Sequence, residues 1–282
     1  MNNKMLALYG LKWNPFTPAV PTTALHVTPR LDSFCWRVSQ LLGEGGFAHV
    51  SGAPGAGKSA ALRILAASLA DQRDVSVGVI SRPQANIADF YREMGDLFGV
   101  ELHPHNRWGG AKVLRHRWQT HIEQALSRPV LVIDEAQEMR AAVLAELRLL
   151  ASADLDSRLL LTVVLAGDGR LAERLRSDEF LLPLASRIRV RLAIERATPQ
   201  ELQECLRHTL QQAGAPTLMT QDVIASLCDH AQGNPRALMI MAGELLAAAV
   251  QREARQIDEA LFFETCAVAS AGDSRAPIRR RR

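Results

Sequence analysis

Gly52-Ala53-Pro54-Gly55-Ala56-Gly57-Lys58-Ser59 is the stretch on which the reading of this chain turns. It matches GxxxxGK[ST] and stands where that pattern has a mechanism, after an apolar run, Phe47 to Ser51, and before a helical pattern, Lys58 to Ala70. Glycines let the backbone wrap so that successive N–H groups point at phosphate oxygens. The start of the following helix adds favourable partial charge. Residues Gly52 to Ser59, with Ala60 in the first helical turn, are therefore the expected nucleotide-binding set. Lys58 would reach the β and γ phosphates of ATP and the Ser59 hydroxyl would hold Mg²⁺.

Outward from this loop, short β-branched runs alternate with longer amphipathic segments, the signature of βαβ units and a parallel sheet. Five strands are expected: Phe47 to Ser51, Val75 to Ile80, Val130 to Asp134, Leu160 to Ala166 and Ile188 to Leu192. The first four are continuous apolar runs, as for strands covered on both faces. The fifth alternates Ile188, Val190 and Leu192 with Arg189 and Arg191, which predicts an edge strand with one wet face. Helical patterns lie between them at Lys58 to Ala70, Ile87 to Phe98, Gly110 to Ser127, Met139 to Ala151 and Gly169 to Arg176. Beyond Leu192 every segment reads as helix. The first opens on the capping box Thr198-Pro199-Gln200-Glu201 and another begins at Pro235.

The third strand ends in two carboxylates, Asp134 and Glu135, at the sheet edge where ligands of open α/β folds bind. Asp134 fits the role of holding Mg²⁺ through water, and Glu135 is placed to polarise an attacking water. Two arginines are candidates to complete the site. Arg187 follows a helix-to-strand turn from which a guanidinium would reach a neighbouring subunit's γ-phosphate, and Arg236 opens a helix of the C-terminal module.

The remaining composition narrows the possibilities. At 282 residues, 48% hydrophobic and 22% charged, the chain has material for one large or two modest domains and is neither disordered nor low in complexity. Its cysteines have no CxxC spacing, which argues against a zinc site or disulfide framework. His103 and His105, near His116 and His121, find no Cys or carboxylate cluster to complete four metal ligands. The N-terminus lacks a secretory pattern, and no apolar stretch has the length of a membrane span, so a cytoplasmic protein is expected. The net charge of +3 resides in Arg279 to Arg282; without them 29 basic residues face 30 acidic ones.

The runs Gly52 to Ser59, Val130 to Gln137, Leu165-Ala166-Gly167-Asp168, Ser186-Arg187-Ile188 and Gly233 to Leu238 resemble those of AAA+ ATPases. Tyr9-Gly10-Leu11-Lys12-Trp13-Asn14-Pro15-Phe16 resembles the subgroup named after the ExeA secretion ATPase. That subgroup also contains the ATP-dependent target regulators of bacterial transposons, of the TnsC, TniB, IstB and MuB type. The resemblance implies an α/β P-loop core with a parallel five-stranded sheet, followed by a small all-helical lid. Residues 1–30 would form an N-terminal segment bordering the nucleotide, 31–195 the core, 196–268 the lid and 269–282 a disordered basic tail. It further implies that Asn14, Pro15 and Phe16 border the adenine, Asp168 takes the sensor 1 position, Arg187 acts as arginine finger and Arg236 as sensor 2. Relatives usually carry Asn, Thr or Gln at sensor 1, so the anionic Asp168 implies slow hydrolysis or a different way of orienting water.

Secretion ATPases of the subgroup carry a membrane segment and further domains, which are not found in this sequence. The resemblance thus implies a transposition helper that assembles with ATP on DNA as a homo-oligomer and recruits or stimulates a transposase. A secretion ATPase, a helicase loader or replication initiator, and a nucleotide switch with negligible turnover are the competing readings. DNA binding is read from local charge. Arg107, Lys112, Arg115 and Arg117 alternate with Trp108 and Trp118 between the second and third strands, and Arg82 follows the second. In a ring or spiral these residues would track phosphates without reading bases. The competing reading of the same segment is an ordinary solvated helix face with its tryptophans in the core.

Overall fold

The computed structural model describes residues 2–81, 83, 86–101, 107–124, 127–153 and 157–265. Arg82, His103, His105, the side chains of Arg107 and Trp108, and the basic tail Arg279 to Arg282 lie outside what is described. In chain order the elements begin with α1 (Asn2–Tyr9), α2 (Pro29–Leu41), β1 (Gly46–Gly52), α3 (Lys58–Ala70), β2 (Val75–Ile80), α4 (Ile87–Phe98) and α5 (Arg107–Gln124). They continue with β3 (Arg128–Ile133), α6 (Ala141–Ala151), β4 (Ser152–Ala153), β5 (Arg158–Leu159), β6 (Thr162–Gly167), α7 (Gly169–Ser177), α8 (Leu182–Ala185) and β7 (Ile188–Ile194). Helices α9 (Pro199–Ala213), α10 (Gln221–His230) and α11 (Pro235–Arg252) follow, and residues 259–265 are also helical. The chain divides into two compact units, one of residues 27–195 and one of residues 1–26 with 196–282.

In the first unit the described strands form a five-stranded parallel sheet in the order β2-β3-β6-β1-β7. The continuous apolar strands are explained by burial on both faces. Val130 and Val132 of β3, with Val164 and Ala166 of β6, face a core shared with Phe34 and Val38 of α2 and Leu62 and Leu65 of α3. Leu131, Ile133, Val163 and Leu165 face the other way, into a core with Phe90 and Met94 of α4, Leu114 and Trp118 of α5, and Leu144 and Leu147 of α6. The edge position expected for the fifth strand is observed in β7, whose residues alternate buried and exposed over Ile188 to Leu192. The second strand departs from the expectation. As the opposite edge of the sheet β2 is only partly covered, and Val79 is 45% exposed.

In the other unit α9, α10 and α11 enclose a separate apolar core that includes Leu206, Leu210, Leu227, Leu238 and Leu246. The Thr198 capping box forms as the sequence predicts, and Asn234 caps α11 by accepting from the N–H groups of Arg236 and Ala237. The N-terminal segment is built into this unit. Met5 and Leu11 lie in its core, the Lys12 N–H donates to Ala213 O at 2.9 Å, and the Tyr9 hydroxyl donates to Ala254 O at 2.8 Å. Among the described residues no helix is long and apolar enough to cross a membrane.

Candidate functional site

The 52–59 loop leaves β1 at its C-terminal end and enters α3. Gly55 and Gly57 have φ of 81° and 106°, a left-handed backbone that side-chain-bearing residues avoid, and Gly57 is the N-cap of α3. At Gly52 a Cβ would come within 2.9 Å of Ile194 O, so the loop's first turn requires glycine for space. Lys58 is buried, with Nζ donating to Gly52 O at 3.0 Å and Ala53 O at 3.3 Å, which holds the ammonium inside the loop's curve.

Asp134 follows β3, and its N–H donates to Ile80 O at 2.9 Å, continuing the β2–β3 pairing by one residue. Its carboxylate is thereby aimed at the start of α3, where Ser59 Oγ donates to Asp134 Oδ2 at 2.6 Å. A hydroxyl and a carboxylate converging on one point form a small, hard oxygen donor set of the kind suited to Mg²⁺, which keeps most of its water and takes one or two protein ligands beside phosphate.

Glu135 has φ of 51° and ψ of 38°, a left-handed conformation rare outside glycine and often associated with functional sites. It accepts a hydrogen bond from the side-chain amide of Gln137 and starts a 3-10 turn, Ala136–Glu138. Gln137 is buried, and its Oε1 accepts from the Asp168 N–H at 3.2 Å, joining the end of β3 to the end of β6. Asp168 is the N-cap of α7. Its Oδ1 accepts from the Arg170 N–H and its Oδ2 from Arg170 Nε, both at 2.9 Å. Burial pushes the Asp168 carboxyl up, but the hydrogen bonds and charge of Arg170, with Lys58 adding, hold it below the usual carboxylate range. Arg170 also donates to Glu138 Oε1 at 2.8 Å, and Arg174 to Gln137 O and Met139 O at 2.8 and 2.9 Å. Two arginines one helical turn apart thus clamp the 3-10 turn that carries Gln137.

Residues 41–175 match the model of an AAA domain. Over 254 residues the chain is 28% identical to general secretion pathway protein A of Aeromonas hydrophila, an alignment covering 88% of this chain and 45% of that protein. The chain therefore spans less than half the length of that relative. Among solved structures it is similar to the ORC2 protein of Aeropyrum pernix in ADPNP–ADP complexes, with a TM-score of 0.70, 14% identity, and coverage of 94% of this chain and 72% of that one. It is also similar to Drosophila ORC bound to DNA, with a TM-score of 0.67, 18% identity, and coverage of 98% and 69%. The fold is a P-loop AAA+ sheet with a helical C-terminal region.

In the unit of residues 27–195 the geometry brings Lys58, Ser59, Asp134, Glu135 and Asp168 to the C-terminal end of the sheet. Arg187 lies at the other end. It precedes β7, and the parallel register runs from Phe47 opposite Ile188 to Gly52 opposite Ile194. Six residue steps along β1, roughly 20 Å at about 3.3 Å per residue, separate its level from the start of the chain's own loop. Its guanidinium donates to Pro183 O at 3.4 Å. Asn14, Pro15, Phe16 and Arg236 belong to the helical unit. There Phe16 packs on the helical core with its N–H donating to Asn14 Oδ1 at 3.0 Å, and Arg236 occupies the first turn of α11.

On α5, Ala111, Leu114, Trp118 and Ile122 turn inward, and Trp118 meets Phe98 edge-on at 5.3 Å. The indole that the sequence offered beside the basic residues is therefore a core residue, as helical periodicity dictates for a position seven after Ala111. Lys112 and Arg117 are exposed, and Arg115 is half-buried with Nε donating to Ala111 O at 3.4 Å. Sequence reasoning assigned no role to Gln137, Arg170 or Arg174. The available signal was a polar residue four positions past the end of an apolar strand and an i, i+4 arginine pair on the helix that follows β6.

Proposed function

We propose that this protein is an ATP-hydrolysing AAA+ switch that assembles with other copies of itself on DNA. The observation that carries the reading is the 2.6 Å contact of Ser59 with Asp134, with the left-handed Glu135 as the next residue. Backbone N–H groups of the 52–59 loop and Lys58 hold the ATP phosphates, Ala60 extends the cradle into α3, and Ser59 and Asp134 would hold Mg²⁺, which would supply charge neutralisation for the phosphates. Glu135 takes a proton from the attacking water as the water oxygen bonds to the γ-phosphorus. The bond from that phosphorus to the β–γ bridging oxygen breaks, and its electron pair leaves on ADP. Asp168, tied to Arg170, keeps its charge compensated beside the phosphates.

The position of Arg187 at the far end of the sheet supports a role on a neighbouring copy's γ-phosphate, which makes the oligomer the active form. Arg236 and the Asn14 to Phe16 segment are assigned to the nucleotide by their resemblance to sensor 2 and to the adenine-bordering segment. Lys112, Arg115 and Arg117 on α5, with Arg82 and Arg107, are the proposed DNA contacts, through phosphate rather than base edges. The Drosophila neighbour bound to DNA, alike in fold, supports DNA as the partner. Transposition, with a transposase as partner in the cytoplasm, is the finer reading and rests on the N-terminal resemblance.

A second reading, the ATPase of a secretion system, is favoured by the 28% identity to general secretion pathway protein A. Electron microscopy with double-stranded DNA and a nonhydrolysable ATP analogue decides between them. Regular rings or filaments on DNA that require the analogue support the first reading, and their absence, with sedimentation alongside membranes, supports the second.

A further inference from the structure

Gln137 is 7% exposed and has both ends of its side-chain amide engaged. The orientation of that amide follows from its partners. The Asp168 N–H can only donate, so the oxygen faces it and the NH₂ is left for the Glu135 carboxylate. Room for the oxygen is made by Gly167, where a Cβ would sit 2.8 Å from Oε1, and the backbone of Gln137 is held by Arg174. A buried glutamine held at both ends of its amide and at its backbone carbonyl is a rigid support. We propose that Gln137 is the positioning residue of hydrolysis: its NH₂ holds one oxygen of Glu135, so that the other is directed to accept the proton of the attacking water. The β6–α7 junction, through the Asp168 N–H, thereby sets the orientation of the base.

This proposal rests on Glu135 being the base, and the experiment separates the two. ATP affinity and steady-state turnover are measured for Glu135→Gln, Gln137→Met and Gln137→Glu. Methionine keeps the volume and removes both hydrogen bonds. Glutamate keeps an acceptor for the Asp168 N–H but loses the donor to Glu135. A misaligned base costs about 10²-fold in rate where alignment has been disturbed by an ångström, so kcat should fall roughly 10- to 100-fold in both Gln137 variants. The Kd for ATP should stay within about twofold, since binding does not use the base. The double variant Glu135→Gln/Gln137→Met should lose nothing beyond Glu135→Gln alone, because the support acts only through the base. If Glu135→Gln still hydrolyses ATP at the parent rate, the assignment of the base fails and this inference with it. If Glu135→Gln is inactive but both Gln137 variants turn over normally, or lose ATP affinity in step with kcat, Gln137 has no positioning role.

Discussion

Ser59 Oγ donates a 2.6 Å hydrogen bond to Asp134 Oδ2 across 75 residues of sequence. The contact exists because β1 and β3 are both in register with β6, which sets the loop after one beside the carboxylate after the other. If Asp134 holds Mg²⁺ through water, Asp134→Asn should raise the Mg²⁺ concentration needed for half-maximal ATPase by roughly 10- to 100-fold, the usual cost of an outer-shell ligand. Lys58→Ala should remove ATP binding altogether. Isothermal titration with and without Mg²⁺ checks both, and an unchanged Mg²⁺ requirement would exclude Asp134 from the metal site.

Arg187 stands at the end of the sheet remote from its own phosphate loop. Arg187→Ala should therefore keep ATP affinity and lose turnover by about 10³-fold or more, as arginine fingers do. Mixing it with the inactive Glu135→Gln variant should restore part of the rate, because one chain supplies the arginine and the other the base. A mixture as inactive as its components would place Arg187 outside the reaction.

Lys112, Arg115 and Arg117 lie on α5, and their substitution by alanine tests whether that helix meets DNA. For every phosphate that the variant no longer neutralises, the slope of log affinity against log salt should become shallower by about 0.9. A slope identical to that of the parent chain would return α5 to being a solvated helix face.

His49 sits in β1, 6% exposed, with its Nε2 lacking a hydrogen-bond partner among the described residues. Burial, with the charge of Arg191 second, pushes its imidazole down from 6.5 to about 4. Below pH 6.5 the unfolded chain takes up a proton that the folded chain refuses, so stability present above that pH is lost progressively as the pH falls towards 4. A shift of this size corresponds to a loss on the order of 3 kcal/mol. Urea unfolding at about pH 7 and about pH 4.5 should show the loss, and His49→Leu should reduce it.

The fold was largely legible because its signals are local. Helices α3, α4 and α9 start at Lys58, Ile87 and Pro199 as their patterns predict, since the cap residues Gly57, Asn86 and Thr198 are adjacent in sequence. The loop and the Asp134-Glu135 pair were legible for the same reason. What escaped depends on register and on distant partners. The union of Met5 and Leu11 with α9 to α11 joins the two ends of the chain, and no periodicity reports it. Gln137 meets Asp168 only because Ile133 pairs with Leu165, a relation that exists in the sheet and not along the sequence.

Gly167 has an ordinary backbone conformation, yet a Cβ there would crowd Gln137 Oε1 at 2.8 Å and Leu171 Cδ2 at 2.7 Å. The absence of one methyl group at the end of β6 is thus a condition for the amide bridge between two strands. An alanine at 167 would press on the glutamine at 137 and on Leu171 at once, so a shorter residue at 137 alone would not free 167 while Leu171 stands beside it. Positions 137, 167 and 171 thus constrain one another in space, although the first lies far from the other two along the chain.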